Sequence, residues 1–121
     1  MQIFKTIYKL SVKYFTFKNY YTIRAMNRAL KLQIEQTTAL RASREATARL
    51  VLLDSHLFPI LLHFSLNSNY PHQHQACWVL EWVYDEQPNW FEPHLPDFFS
   101  ALDQISHPGA LRSISRISML L

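Results

Sequence analysis

His72, His74 and Cys77 form the pattern in this chain that most resembles a metal site. They read His-x-His-x-x-Cys, with His63 as a further candidate, and imidazole and thiolate groups are common zinc ligands. A structural zinc site needs four ligands in two closely spaced pairs, and the second pair is missing. We therefore expect no metal and no other cofactor, with the two loop histidines in solvent and Cys77 in the core.

Cys77 is also the residue that would serve as a nucleophile if the chain were a thiol enzyme. A catalytic thiol needs a lowered pKa and an oriented base. Cys77 instead lies within the most apolar stretch of the chain, residues 76–84, where a buried and inert thiol is expected. The sequence predicts no catalytic residue, and we expect that the protein is not an enzyme.

Glu81 is the single charged residue within residues 76–83. A carboxylate on a buried helix requires a partner, because desolvation disfavours its charged form. Arg112 and Arg116 are the only lysines or arginines after Arg49. The sequence therefore predicts a buried ion pair between Glu81 and one of these two arginines.

A possible surface for a protein partner follows the same helix. Trp90 and Phe91 lie in a link between prolines, where an aromatic pair either anchors a partner or folds back to fasten the link. The acidic side chains nearby, together with the histidines, form either an acidic groove for a basic partner or an ordinary solvated face. These acidic residues are Asp85, Glu86, Glu92, Asp97 and Asp103.

The charge of the chain is strongly divided. The 121 residues carry a net charge of +3, yet residues 1–34 hold seven lysines or arginines and no acid. Residues 50–111 hold seven acids, all six histidines and no lysine or arginine. Nucleic-acid binding by this second region is not expected, because it offers no cation to neutralise phosphates.

The number of cysteines and the length of the apolar runs predict the cellular compartment. The single cysteine allows no internal disulfide, which is typical of a reducing compartment. Lysines break every apolar run near the start that could form a signal peptide, and no run reaches the roughly 20 apolar residues of a membrane span. We expect a cytoplasmic protein.

Residues 1–25 form a basic, aromatic extension ahead of residues 26–121, the predicted domain. Lys5, Lys9 and Lys13 share one helical face, so this arm is a candidate for binding a membrane surface or nucleic acid. It also consists largely of residue types that AT-rich codons encode, so translation could instead start at Met26. The arm supports an alternative function only if it is translated.

Helical periodicity dominates from Met26 onward. We predict helix over 27–53 with a break near Thr37, then a stripe of Leu57, Ile60, Leu61 and Phe64, a central helix over 76–84 and a helix opened by Pro96. The last predicted helix runs to Leu121 with uncovered apolar residues, so we expect a truncated C-terminus or a face that needs a partner. The predicted core consists of Leu61, Ala76, Trp78, Val79, Leu80, Trp82, Val83, Phe98 and Leu102.

Two segments of the sequence echo each other 37 residues apart. Residues 58–66 and 95–102 both begin with an apolar residue and a proline and continue with apolar pairs, and each follows a longer helix. Two helices in each unit of about 35–47 residues are typical of helical repeat arrays. The sequence predicts an all-α, HEAT-like α-solenoid fragment of about two helical hairpins plus a partial last repeat. Its predicted function is protein–protein interaction.

The chain also resembles a known family. The residues that carry the resemblance are Ser-Arg-Glu-Ala at 43–46, Leu-Phe-Pro-Ile-Leu-Leu at 57–62, Ala-Cys-Trp-Val-Leu-Glu at 76–81, Pro-His-Leu at 93–95, His-Pro at 107–108 and Arg-Ser-Ile-Ser-Arg at 112–116. Over about residues 40–121 it is similar to small bacterial HEAT-like (armadillo-like) repeat proteins, which implies a helical repeat fold that continues past Leu121. Some members carry the name adenylosuccinate lyase, a second alternative function. The Gly-Ser-Ser-x-Met-Pro-type loop by which such lyases resemble one another has no counterpart here, where Gly109 is the single glycine.

Overall fold

The computed structural model describes residues 24–121, and within them the chain is all helical, with no strand. Helix α1 covers residues 24–36, and a break at residues 37–40 separates it from α2. The remaining elements, in chain order, are α2 (Arg41–Leu53), α3 (Phe58–Leu66), α4 (Gln73–Glu86), α5 (Leu95–Leu102) and α6 (Pro108–Leu120), with short 3₁₀ turns at Ser55–Leu57, Pro88–Trp90 and Glu92–His94. The predicted all-α class is confirmed.

The helix breaks have local causes in the sequence. Asp54 leaves the helical conformation, and its carboxylate accepts a hydrogen bond from the backbone N–H of His56 at 3.1 Å. Pro59 and Pro96 each lie in the first turn of a helix, where a missing N–H costs little. Among residues 24–121 no single helix is long and apolar enough to cross a bilayer. Helix α2 and the segment Ser55–Leu66 meet that test only together, as a pair bent by 108°.

Helix α4 is the centre of the packing, in contact with α2, α3 and α6. Its buried face includes Ala76, Val79, Leu80 and Val83, all fully enclosed. Burial of this many apolar groups on one helix is the main stabilising contribution that the fold shows. The sequence expectation of a helix with neighbours on several sides agrees with this arrangement.

The directions of the helices follow from side-chain contacts. The guanidinium of Arg41 lies 5.5 Å from the ring centre of Trp82, and that of Arg44 lies 5.7 Å from Trp78, so α2 runs antiparallel to α4. By contrast, His107 before α6 stacks on a residue at the start of α4, and Arg116 later in α6 contacts the later part of α4. Helices α4 and α6 therefore run in the same direction.

The two hairpins α3–α4 and α5–α6 bury corresponding positions. In the first helices Leu61 corresponds to Phe98, and Phe64 to Ala101, at a spacing of 37 residues. In the second helices the spacing is 34 residues, and the corresponding buried pairs are Ala76 and Ala110, Val79 and Ser113, Leu80 and Ile114, and Val83 and Ile117. The prediction that each unit pairs a longer helix with the proline-initiated helix after it, α2 with α3 and α4 with α5, is wrong, because α2 and α4 run in opposite directions.

Three predicted core residues lie at the edge of the core. Trp78, Trp82 and Leu102 are only partly buried, whereas the other six predicted core residues are buried. The two tryptophans lie where α4 faces the arginines of α2, so each indole packs against a guanidinium and keeps part of its surface exposed.

Several large apolar residues remain exposed. Leu53 on α2 and Met119 on α6 are each 85% exposed. Phe99 is 56% exposed on α5, because its neighbour Phe98 takes the position that faces the core.

Candidate functional site

An open groove of about 510 Å³ lies between α3 and α5. Its volume is within the ordinary range for binding sites, roughly 300–1,000 Å³. The residues that line it are Pro59, Leu62, His63, Leu66, Asn67, His94, Asp97, Ser100, Ala101 and Gln104. The groove therefore lies between the two segments whose sequences echo each other.

Helical periodicity places these side chains in two facing rows. On α3 they recur every three or four residues from Pro59 to Leu66, and on the opposite wall from His94 to Gln104. Leu62 and Ala101 are almost fully buried at the floor, where they join the core. The rim is polar, and no lysine or arginine lines the groove.

His94 and Asp97 are the pair on the rim that could take part in acid–base chemistry. The Nδ1 atom of His94 lies 3.5 Å from a carboxylate oxygen of Asp97, which is longer than a normal hydrogen bond. The imidazole packs edge-on against Phe58, with ring centres 5.7 Å apart. The side chain of Asp97 is 64% exposed, so water screens its charge. The rim therefore presents an imidazole and an exposed carboxylate side by side.

The three metal-ligand candidates point to different places. His72 bonds to the side chain of Gln75 at 2.5 Å, and His74 stacks on His107. Cys77 is fully buried and donates a hydrogen bond to the carbonyl oxygen of Ser65 at 3.3 Å. No group of three metal-binding side chains is assembled within residues 24–121.

Burial determines the chemistry of Cys77. Desolvation, with a smaller effect from the charge of Glu81, raises the pKa of its thiol well above the ordinary value. The sulfur is therefore held in its neutral, poorly nucleophilic form at neutral pH.

The predicted ion pair of Glu81 takes a different form. The guanidinium nitrogens of Arg116 lie 3.4 Å from a carboxylate oxygen of Glu81 and 3.0 Å from one of Asp85, so Arg116 forms ion pairs with both residues. The prediction of burial was wrong, because the Arg116 side chain is 44% exposed, and Arg112 lies exposed without an ion pair among the described residues. The hydrogen bond to Asp85 is the main cause that raises the pKa of Arg116. The carboxylate of Glu81 lies at the edge of the contact between α4 and α6, where both Glu81 and Arg116 are partly exposed to water.

The suggested aromatic anchor divides into two residues with different environments. Phe91 is fully buried, with its ring centre 4.9 Å from Phe58 and 5.1 Å from Tyr84. Trp90 is partly buried against Phe58 at 5.5 Å. Phe91 fastens the link to the core and is not part of an exposed surface, whereas Asp85 and Glu86 remain exposed.

The groove itself was not singled out from the sequence, although Asp97 and the histidines were among the groups considered for an acidic groove. The sequence feature that could have indicated the groove was the similarity between residues 58–66 and 95–102. Two similar helices that lie side by side can line a groove with matching rows of side chains. Asp85 and Glu86 do not line it.

Comparisons of the chain with protein-family models, with curated proteins and with solved structures give no match.

Proposed function

We propose that the protein is a HEAT-like helical-repeat module that binds another protein in the groove between α3 and α5. The observation that carries this proposal is the position of the groove: two equivalent, proline-initiated helices line it jointly, with a buried apolar floor and a polar rim. Helical repeat proteins commonly use such surfaces between successive repeats for recognition.

The chemistry of the groove indicates the kind of partner. Leu62, Leu66 and Ala101 offer an apolar floor, and Asp97 contributes the one carboxylate of the lining. Because no cation lines the groove, the best complement is a peptide segment with apolar side chains flanked by lysine or arginine. The amide side chains of Asn67 and Gln104 are available to bond to its backbone.

The proposal is tested by site-specific photo-crosslinking in cells. A photoreactive phenylalanine is placed at Ser100, which lines the groove, and as a control at Ala46, which is exposed on α2. We expect one discrete protein adduct from position 100 and none from position 46. Equal labelling from both positions, or no adduct from position 100, would contradict the proposal.

The alternative functions do not involve the groove. The basic arm, residues 1–25, lies outside the described residues except for Arg24 and Ala25, so binding of membranes or nucleic acid by it stays a prediction. The adenylosuccinate lyase alternative rests on the sequence resemblance alone. Cytoplasmic location likewise stays a prediction.

A further inference from the structure

His74 and His107 form a stacked pair between α4 and α6, away from the groove. Their ring centres are 4.6 Å apart and their planes differ by 12°. His74 lies in the first turn of α4, and His107 is the residue that caps the start of α6. The ring of His74 also packs perpendicular to the partly buried Trp78, with ring centres 5.2 Å apart.

The protonation state of His107 is determined by its hydrogen bonds. Its Nδ1 atom accepts from the backbone N–H of Gly109 at 3.1 Å and from that of Ala110 at 3.3 Å. An imidazole nitrogen accepts a hydrogen bond only through a free lone pair. This capping geometry therefore requires that Nδ1 of His107 carry no proton.

We propose that His74 and His107 are a pH-sensitive latch, which fastens the start of α6 to α4 while both rings are neutral and releases it in acid, when the rings gain protons.

A proton on Nδ1 of His107 has three unfavourable effects on the attachment of α6. A proton on Nδ1 ends its role as acceptor, so two N–H groups of α6 lose their cap. The new positive charge lies at the N-terminus of a helix, where the helix dipole disfavours cations. If His74 is also charged, two cations face each other across a stack of 4.6 Å. Each effect favours the released state in acid.

His74 supports the same direction of the pH effect. Burial lowers the pKa of its imidazole below 6.5, and the neighbouring His107 and His72 lower it further. A group with a lower pKa in the folded state makes folding stability fall as the pH falls, because the unfolded chain binds the proton more readily. The stabilisation is complete above about pH 7 and is lost as the pH falls through the pKa of the folded state.

Other charged groups around the pair do not offset this effect. Helix α4 presents His72 beside His74, and the guanidinium of Arg44 of α2 packs on Trp78, which also contacts His74. Helix α5 ends near Asp103, and α6 carries Arg112. Among the described residues neither stacked ring has an ion pair with a carboxylate.

The other end of α6 stays attached in the same pH range. Arg116 pairs there with Glu81 and Asp85, and no histidine takes part in these contacts. Acid therefore loosens the first turn of α6 while its later turns remain docked on α4. Since the segment before His107 also ends α5, release of the latch also frees one end of a groove wall.

The test compares amide hydrogen exchange at pH 7.5 and pH 5.0, corrected for the intrinsic dependence of exchange on pH. The reporting amides are those of residues 111–114, and the reference amides are those of residues 117–120. In the wild type we expect local opening at the first group to increase about tenfold or more in acid, with little change at the second group. A change below about twofold at residues 111–114 would overturn the proposal.

Two variants separate the latch from a general effect of acid. His107→Asn keeps an N-cap oxygen but does not titrate in this range, so its opening should change less than about twofold between the two pH values. His56→Gln is the control, because His56 is an exposed histidine outside the stack, and it should behave like the wild type. A His107→Asn protein that still opens about tenfold in acid would also overturn the proposal. A histidine ¹⁵N NMR spectrum of the wild type at pH 7.5 should show Nδ1 of His107 unprotonated.

Discussion

Replacing Phe91 with alanine should destabilise the fold strongly, although the residue lies in an irregular link. Its side chain is fully buried, and its ring contacts Phe58, Tyr84 and Phe98 at centre distances of 4.9, 5.1 and 5.9 Å. Truncation of a buried phenylalanine typically costs about 3–5 kcal/mol, which combines lost transfer free energy with the cavity left behind. Because three aromatic contacts are lost as well, we expect a value of about 4 kcal/mol.

Urea denaturation followed by circular dichroism at 222 nm measures this change. Domains of this size unfold with about 5–15 kcal/mol, so the variant should lose a large share of its stability. Phe99→Ala is the matched control, since Phe99 is 56% exposed and its loss should cost less than about 1 kcal/mol. Equal, small losses of unfolding free energy for the two variants would contradict the burial of Phe91 and would favour the alternative that it anchors a partner at the surface.

Three further predictions concern single side chains. Arg116→Gln should lower the free energy of unfolding by about 0.5–1 kcal/mol at low salt and by almost nothing at 1 M salt, because both ion pairs are partly solvated. The control Arg112→Gln should lower it by less than half as much. A loss for Arg116→Gln that does not depend on salt would contradict this account. Tyr70→Phe should leave stability unchanged or raise it by up to about 1 kcal/mol, because the buried hydroxyl lacks a hydrogen-bond partner in the described structure. Burial, together with the charge of Glu35, raises the pKa of Tyr70 to about 12. A loss of more than about 1 kcal/mol would show that the hydroxyl bonds to Glu35. Cys77 should react with a thiol reagent at pH 8 at least about 100-fold more slowly in the native than in the urea-unfolded protein, and comparable rates would contradict its burial.

The sequence was a good guide to where helices begin and end. The break near Thr37, the interruption at Asp54 and the helix opened by Pro96 all occur in the structure, because each depends on local backbone chemistry. Helical periodicity also identified most of the core of α4, since a helix enclosed on several sides shows apolar residues in every direction.

The pairing of the hairpins was harder to predict, because hydroxyl groups replace apolar side chains at equivalent buried positions. Ser113 corresponds to Val79, and its hydroxyl bonds to the carbonyl oxygen of Gly109, four residues earlier, at 3.2 Å. Ser118 is satisfied in the same way by Ile114 at 2.7 Å. Such residues are buried at little cost, yet in a sequence they read as polar. The apolar pattern of α6 therefore appeared unlike that of α4.

Directions of helices and exposures of aromatic residues depend on tertiary contacts that periodicity does not contain. The tryptophans of α4 were expected inside, but they pack against the arginines of α2 and remain only partly buried. Phe91 was considered for the surface because its neighbours are polar and proline-rich, whereas the space between Phe58 and Phe98 encloses it. Both differences arise from which element packs on which, and not from local propensity.

Binding calorimetry with the partner captured at position 100 tests the central claim most directly. Gln104→Arg adds a cation to the groove, and Gln36→Arg makes the same change at an exposed position of α1 outside it. We predict that the groove variant binds at least about tenfold more weakly, which corresponds to about 1.4 kcal/mol, while the control stays within about twofold of the wild type. Equal affinities for the two variants would contradict the assignment of the binding site to the groove between α3 and α5.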